Sequence, residues 1–178
     1  MERVITDQEV ETLAFCMGEI DLGMTLYLTQ TIMRATAAHK PHLDLLITSG
    51  GGQMWAGMSI IDCIKTAQQR GLKVHGRVNG FAGSMAAFIL EACDTRAMSP
   101  SGQLMLHGWE EGSSGMDKKK RTAQDKSTMN MENQLKTMLL ERTKLTVERL
   151  DEIMEDSSYK YFTADESLEA GLVDEVVL

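Results

Sequence analysis

The chain has 178 residues, of which 43% are hydrophobic and 25% are charged, a balance typical of one globular domain. Its net charge of −8, from 26 acidic and 18 basic residues, argues against a general nucleic-acid-binding protein. No apolar run approaches the ~18 residues that a membrane span requires, and "MERVITDQEV" has no signal or transit pattern, so we expect a single domain, 1–178, in the cytoplasm.

Strand-length apolar runs alternate with helix-length segments, which predicts an α/β domain with a largely parallel sheet. The first twenty residues are ambiguous, because "TDQEVETLAF" begins like a capping box whereas "LAFCMG" is typical of a strand. After them the pattern predicts a buried strand at 43–49, a helix from Met54 that ends near Gly71, a strand at 72–78 and a buried helix over "MAAFILEAC".

The second half of the chain contains shorter elements. "TRAMS" and "QLMLHG" are strand-like, "EEGSSGMDKKK" indicates a loop, and helical periodicity follows over about 117–145 and 147–154. Thr163 and Glu166 have the spacing of a capping box, which predicts a short helix that ends near Gly171. "LVDEVVL" predicts a final strand. The three cysteines, Cys16, Cys63 and Cys93, lie in apolar contexts without C-x-x-C spacing, which favours buried thiols over a disulfide or zinc site.

Two predicted strands end in glycine-rich turns that lead into helices, at 49–52 and 80–84. Unpaired backbone N–H groups and the positive end of a helix at such turns can hold an oxyanion. Ser84 begins the second helix, where a serine is more commonly a helix cap than a nucleophile. Ala86 breaks the G-x-S-x-G pattern, which disfavours an α/β-hydrolase.

A serine nucleophile needs a base, and four histidines are available. His107 follows the strand-like "QLML" just before Gly108, at the mouth of a strand, so it is either the general base or a surface-loop histidine. We assign His39, His42 and His75 to surface roles.

Three blocks, "GGGQMWAGMSIIDCI", "GFAGSMAAFILEACDTRAMSPSGQLMLHG" and "YFTADESLEAGLVDEV", match ClpP, the proteolytic subunit of the Clp protease, in order and spacing. From about Gly18 to its end the chain resembles this family. The resemblance implies the ClpP/crotonase fold, a spiral of β-β-α units with a protruding "handle" helix at about 117–145. It also implies Ser84 as nucleophile and His107 as general base, with the backbone N–H groups of Gly51 and Met85 forming the oxyanion hole.

The chain departs from the family near the expected triad aspartate. Counted back from "YFTA" that aspartate falls at Tyr159, and counted forward from "TVERL" it falls at Ser157, so the loop is about two residues longer. Asp156 is the nearest carboxylate and is assigned to orient His107, with Glu155 or a reorganised loop as alternatives. Gly50 replaces the family's usual proline, and "GWEEGSSG" replaces its Gln-Pro start after the histidine, so specificity is expected to differ.

The resemblance also implies partners: a homo-oligomer of two stacked seven-membered rings, polypeptide substrates and an AAA+ unfoldase. About seventeen residues precede "GEID", fewer than the family generally uses for its axial pore loops, which leaves docking of the unfoldase an open question. No H-E-x-x-H, Walker A or G-x-G-x-x-G pattern occurs, so we expect no metal or cofactor in this chain, with ATP used by the partner.

Two alternatives to an active peptidase remain. One is a catalytically silent ring subunit, which Tyr159 at the expected place of the aspartate would support. The other is a crotonase-type acyl-CoA enzyme, which shares the fold and a backbone oxyanion hole. Its chemistry usually calls for carboxylates that line the pocket, and 79–90 offers none at the start of the Ser84 helix.

Overall fold

The computed structural model of the chain describes residues 12–108, 118–155 and 159–178, with side chains of the 118–142 helix described from Lys126 onwards. It confirms the α/β class. In chain order the described elements are β1 (Leu13–Ile20), α1 (Leu22–Ala37), β2 (His42–Gly52), α2 (Met54–Gln69), β3 (Lys73–Gly83), α3 (Met85–Ala92), β4 (Thr95–Met98), β5 (Gln103–Leu106), α4 (Lys118–Arg142), α5 (Val147–Glu155), β6 (Lys160–Thr163), α6 (Ala164–Glu169) and β7 (Glu175–Val176).

One sheet organises the molecule. Strands β1, β2, β3, β4 and β7 are parallel neighbours in that order, as alternating β and α elements predict. The middle of β3 pairs with β4, whereas its last residues, 81–83, pair with β5. Strand β6 then pairs antiparallel with β5. The end of β3, which leads to Ser84, therefore lies beside the strand that leads to His107.

The core lies on one face of this sheet. Alternate residues of β2 and β3 are buried, which is the period of a strand with one covered face. All eight residues of α3 are buried, as its apolar sequence predicts. The opposite face is more open, and Phe15 and Met17 of β1 are 37% and 54% exposed on it. A parallel sheet normally has both faces covered, so this exposed face is unusual for an isolated chain.

The glycine segments differ from the prediction. Strands β2 and β3 continue to Gly52 and Gly83 instead of ending at 49 and 78, so the predicted turns are strand ends. The pairing is irregular there, with register shifts between Ile47 and Ser49 and between Met17 and Glu19. Neighbouring strands supply the hydrogen bonds that extend these ends, and a local sequence pattern cannot show them.

Several other predictions are confirmed. "LAFCMG" belongs to strand β1, which settles the ambiguous N-terminal region from residue 12 onwards. Gly71 has a φ of 94° after the end of α2, and the Thr163–Glu166 capping box is formed at α6. Helix α4 spans most of the predicted handle region. The final strand, in contrast, is limited to two residues.

The three cysteines were predicted to be buried thiols. Cys16 and Cys93 are buried and Cys63 is partly buried.

None of the described helices combines the length and the apolar character that crossing a membrane demands.

Candidate active site

Ser84 connects β3 to α3 in a backbone conformation that is rare for residues other than glycine, with φ 52° and ψ −126°. Its backbone N–H donates to Met105 O at 2.8 Å, and its carbonyl accepts from Ala87 N–H at 3.0 Å. The side chain makes no capping hydrogen bond to the helix. The hydroxyl of Ser84 therefore does not cap the helix, which was the other role that its sequence position allowed. The strained backbone at Ser84 is of a kind that is typical of functional sites.

His107 follows β5, whose residues pair with the end of β3. This pairing brings two residues that are 23 positions apart into contact, with Nε2 of His107 2.9 Å from Oγ of Ser84. The distance is that of a hydrogen bond. A serine hydroxyl and an imidazole in this relationship can exchange a proton, which is the first requirement of nucleophilic catalysis by serine.

The first glycine segment lies against this pair. A Cβ atom at Gly51 would come within 2.8 Å of Gly83 O and 3.1 Å of Met85 N, so the two glycine-rich strand ends approach each other closely, as expected. Gly51 N–H, however, donates to Ser49 Oγ at 3.1 Å. The buried Ser49 hydroxyl in turn donates to Gly18 O at 2.5 Å. The amide predicted for the oxyanion hole thus already has an intramolecular acceptor.

Gly52 is the neighbouring amide. In a parallel ladder, a residue that bonds across to the neighbouring strand bonds to the two residues that flank its partner, and the partner's own N–H and C=O point the other way. Ile20 of β1 is the partner of Gly52, and its carbonyl accepts from the N–H of the following residue, Gln53, at 2.8 Å. The N–H of Gly52 consequently points away from β1. Gly52 was not among the predicted oxyanion donors, although the alternation of N–H directions along β2 distinguishes it from Gly51. Met85 is the first residue of α3, so its N–H has no carbonyl one turn earlier within the helix.

A cavity of about 370 Å³ opens over the serine and histidine. Tyr159 borders it, with its ring edge-on to the His107 ring at a centroid distance of 5.1 Å and an interplanar angle of 72°. The cavity is lined by two glycines and by side chains of different chemistry: Gly50, Gly52, Met54, Ser84, Met105, His107 and Tyr159.

The predicted third member of the triad falls outside the described residues. Asp156 lies between the described segments, as does Ser157, and of Glu155 only the backbone is described. The loop "GWEEGSSG" after His107 lies largely in the other gap. The role of Asp156 therefore stays a prediction. Across the described part of the chain, no three His, Cys, Asp or Glu side chains are grouped so that they could hold a metal ion.

A cluster of ionisable side chains lies at the far end of α3, with Glu91 and Arg96 buried and Asp174 exposed. Arg96 donates through Nη1 to Glu91 Oε2 at 2.5 Å and to Gly171 O at 2.8 Å, and through Nη2 to Asp174 Oδ1 at 2.6 Å. Burial raises the pKa of Glu91 to about 8, against the lowering effect of Arg96 and Arg142. The sequence signal for this cluster is the single charged residue in the otherwise apolar "MAAFILEAC".

Together, these observations define an α/β protein with a largely parallel sheet, in which a serine hydroxyl and an imidazole lie within hydrogen-bond distance beside an open cavity. A model of the Clp protease family matches residues 4–178. Because the match covers nearly the whole chain, the protein belongs to the Clp protease family, as the resemblance of its three sequence blocks indicated. Membership of this family implies serine peptidase activity in a broad sense.

Proposed function

We propose that this protein is a serine endopeptidase that hydrolyses unfolded proteins and peptides to short peptides, with Ser84 as nucleophile and His107 as general base. The observation that carries the proposal is the 2.9 Å separation of Ser84 Oγ and His107 Nε2 at the floor of an open cavity. Family membership supports the reaction class.

In the proposed reaction, neutral His107 carries its proton on Nδ1, so that Nε2 accepts the hydroxyl proton while Ser84 Oγ attacks the peptide carbonyl carbon. The tetrahedral intermediate collapses as the C–N bond breaks, and the imidazolium gives its proton to the leaving amine. A water molecule then attacks the acyl-enzyme with His107 again as base. The second product leaves as a carboxylic acid and the serine hydroxyl is restored.

The negative oxygen of the intermediate needs donors that point at it before the reaction begins. We assign this role to the backbone N–H groups of Met85 and Gly52. The predicted donor Gly51 is replaced because its N–H bonds to Ser49 Oγ, whereas Gly52 lines the cavity. Gly51 retains a part in the site, since only a residue without Cβ fits against Ser84.

Orientation of the imidazole by Asp156, across Nδ1, remains part of the proposal. A carboxylate in that position keeps the tautomer that leaves Nε2 free to accept a proton. In the sequence Asp156 lies between α5 and β6, and β6 pairs with the strand that precedes His107.

The proposal includes assembly. We propose that residues 1–178 form a single peptidase domain, that subunits form two stacked seven-membered rings joined through the α4 handle, and that an AAA+ unfoldase delivers substrates. The exposed sheet face with Phe15 and Met17 supports a covering partner, since parallel sheets rarely leave a face open. The chain itself would need no cofactor, ATP would be used by the unfoldase, and the particle would work in the cytoplasm.

Hydrolysis of small fluorogenic peptides tests the activity. We expect turnover by the wild-type chain and none by Ser84→Ala, with the same particle size in size-exclusion chromatography for both. Turnover by Ser84→Ala at the wild-type rate would reject the assignment of the nucleophile.

A further inference from the structure

The pairing of β5 with β6 determines what lies opposite the catalytic histidine. The antiparallel ladder runs from Gln103 opposite Thr163 to Leu106 opposite Lys160, one residue of each strand per pair. His107 and Tyr159 are the next residues beyond this last pair. Residues directly opposite each other in an antiparallel pair have side chains close enough to interact.

The two rings make this contact. Their centroids are 5.1 Å apart and their planes are inclined by 72°, an edge-to-face arrangement that aromatic rings prefer over face-to-face stacking. His107 immediately follows β5 and Tyr159 immediately precedes β6, so each ring lies next to the last pair of the ladder. Tyr159 also borders the cavity, and it is half exposed.

An imidazole that acts as a base must be held so that one nitrogen faces the hydroxyl. Two torsions, χ1 and χ2, otherwise let the His107 ring turn away from Ser84. The hydrogen bond to Ser84 Oγ restrains one edge of the ring, and the packing of Tyr159 restrains it at a second point.

We infer that Tyr159 is a positioning residue, which holds the His107 imidazole toward Ser84 by ring packing. This inference rests on the proposed function. It is separate from the role proposed for Asp156, because a carboxylate selects the tautomer through Nδ1 whereas Tyr159 restrains the ring through its aromatic surface. On this account, the tyrosine at the place expected for the aspartate supports an active enzyme and not a silent subunit.

The strand offers a matched control. Tyr161 lies in β6, two residues after Tyr159, and is 49% exposed, against 51% for Tyr159, but its ring packs on Phe81 with the ring centroids 6.4 Å apart. Tyr161→Ala therefore removes the same type of ring from a neighbouring position and leaves the ring contact between Tyr159 and His107 in place. Tyr159→Phe keeps the ring and removes only the hydroxyl.

The experiment measures the rate at which a small fluorophosphonate labels Ser84 in the full-length assembled protein, followed by intact mass. We expect Tyr159→Ala to lower this rate roughly 3- to 10-fold, as loss of one aromatic contact in the reactive geometry predicts. Tyr159→Phe should be labelled at close to the wild-type rate, and Tyr161→Ala should be labelled at the wild-type rate. With a peptide substrate, Tyr159→Ala should lower kcat while KM changes little.

Three results would overturn the inference: wild-type labelling of Tyr159→Ala, an equal loss in Tyr161→Ala, or an effect on KM alone, which would make Tyr159 a wall of the substrate site. If Tyr159→Ala lowers the melting temperature strongly, Tyr159→Leu, which fills more of the space, replaces it in the same comparison. A wild-type chain that is not labelled at Ser84 would refute the proposed function, and with it this inference. If the wild type is labelled at Ser84 and the Tyr159 variants are labelled at the same rate, the inference is refuted and the proposed function is not.

Discussion

A Cβ atom placed on Gly51 would lie 2.7 Å from the Cβ atom of Ser84, closer than such atoms are found in proteins. Gly51 also has a φ of 103°, a conformation that side chains disfavour. Gly51→Ala should therefore displace Ser84 and lower both peptidase activity and stability, the latter by about 1–3 kcal/mol. Thermal unfolding and peptide turnover measure the two effects.

Gly50 provides the control for stability. An added Cβ there meets nothing within 4 Å. Gly50→Ala should leave the melting temperature within error of the wild type. Equal melting temperatures for the Gly50 and Gly51 variants would contradict the close approach of the two strand ends.

Glu91 predicts a pH dependence of stability. Burial raises its pKa from an ordinary 4.5 to about 8 in the folded protein. Between these values the folded state binds more protons than the unfolded state, so stability is highest at low pH within this window and falls as pH rises toward 8. The melting temperature of the wild type should decline between about pH 5 and pH 8.

Glu91→Gln removes the titrating group while keeping its shape and an oxygen that can accept from Arg96. We expect its melting temperature to decline less over the same window. Parallel curves for the two proteins would show that Glu91 does not take up a proton on folding.

The capping box at α6 makes a prediction of a different kind. Thr163 Oγ1 accepts from Glu166 N–H at 3.3 Å, and Thr163 N–H donates to the Glu166 carboxylate at 2.8 Å. Thr163→Ala should cost about 1 kcal/mol of unfolding free energy in denaturant titration. Thr137→Ala, which removes an exposed mid-helix threonine bonded only to its own helix, is the control and should cost less. A larger loss in the Thr137 variant would contradict this account.

Much of the fold, and the two residues Ser84 and His107 that the structure brings together, could be predicted from sequence, because the signals are local. Apolar periodicity predicted α2 and α3 with boundaries close to those observed and the beginning of β2, and the family blocks pointed to Ser84 and His107. The matching sequence blocks do not show in which direction an individual backbone N–H points. Gly51 and Gly52 are chemically identical in the sequence, and only pairing with β1 separates the N–H that bonds to Ser49 from the N–H of Gly52, which points away from β1.

Contacts between distant segments were also beyond the sequence. Asp174 bonds to Arg96, 78 positions away, and nothing in either local pattern indicates the partner. The ring contact between Tyr159 and His107 also joins distant segments, which the pairing of β5 with β6 brings together. In the sequence Tyr159 was only the residue found where an aspartate was expected.

The most direct test of the central claim is site mapping of fluorophosphonate labelling at neutral pH, with peptide mass spectrometry of the wild type, Ser84→Ala and His107→Ala. We predict one adduct per wild-type chain, located on Ser84, no adduct in Ser84→Ala, and labelling of His107→Ala slowed by at least roughly a thousandfold. An unmodified wild-type chain, or an adduct that persists in Ser84→Ala, would contradict the account.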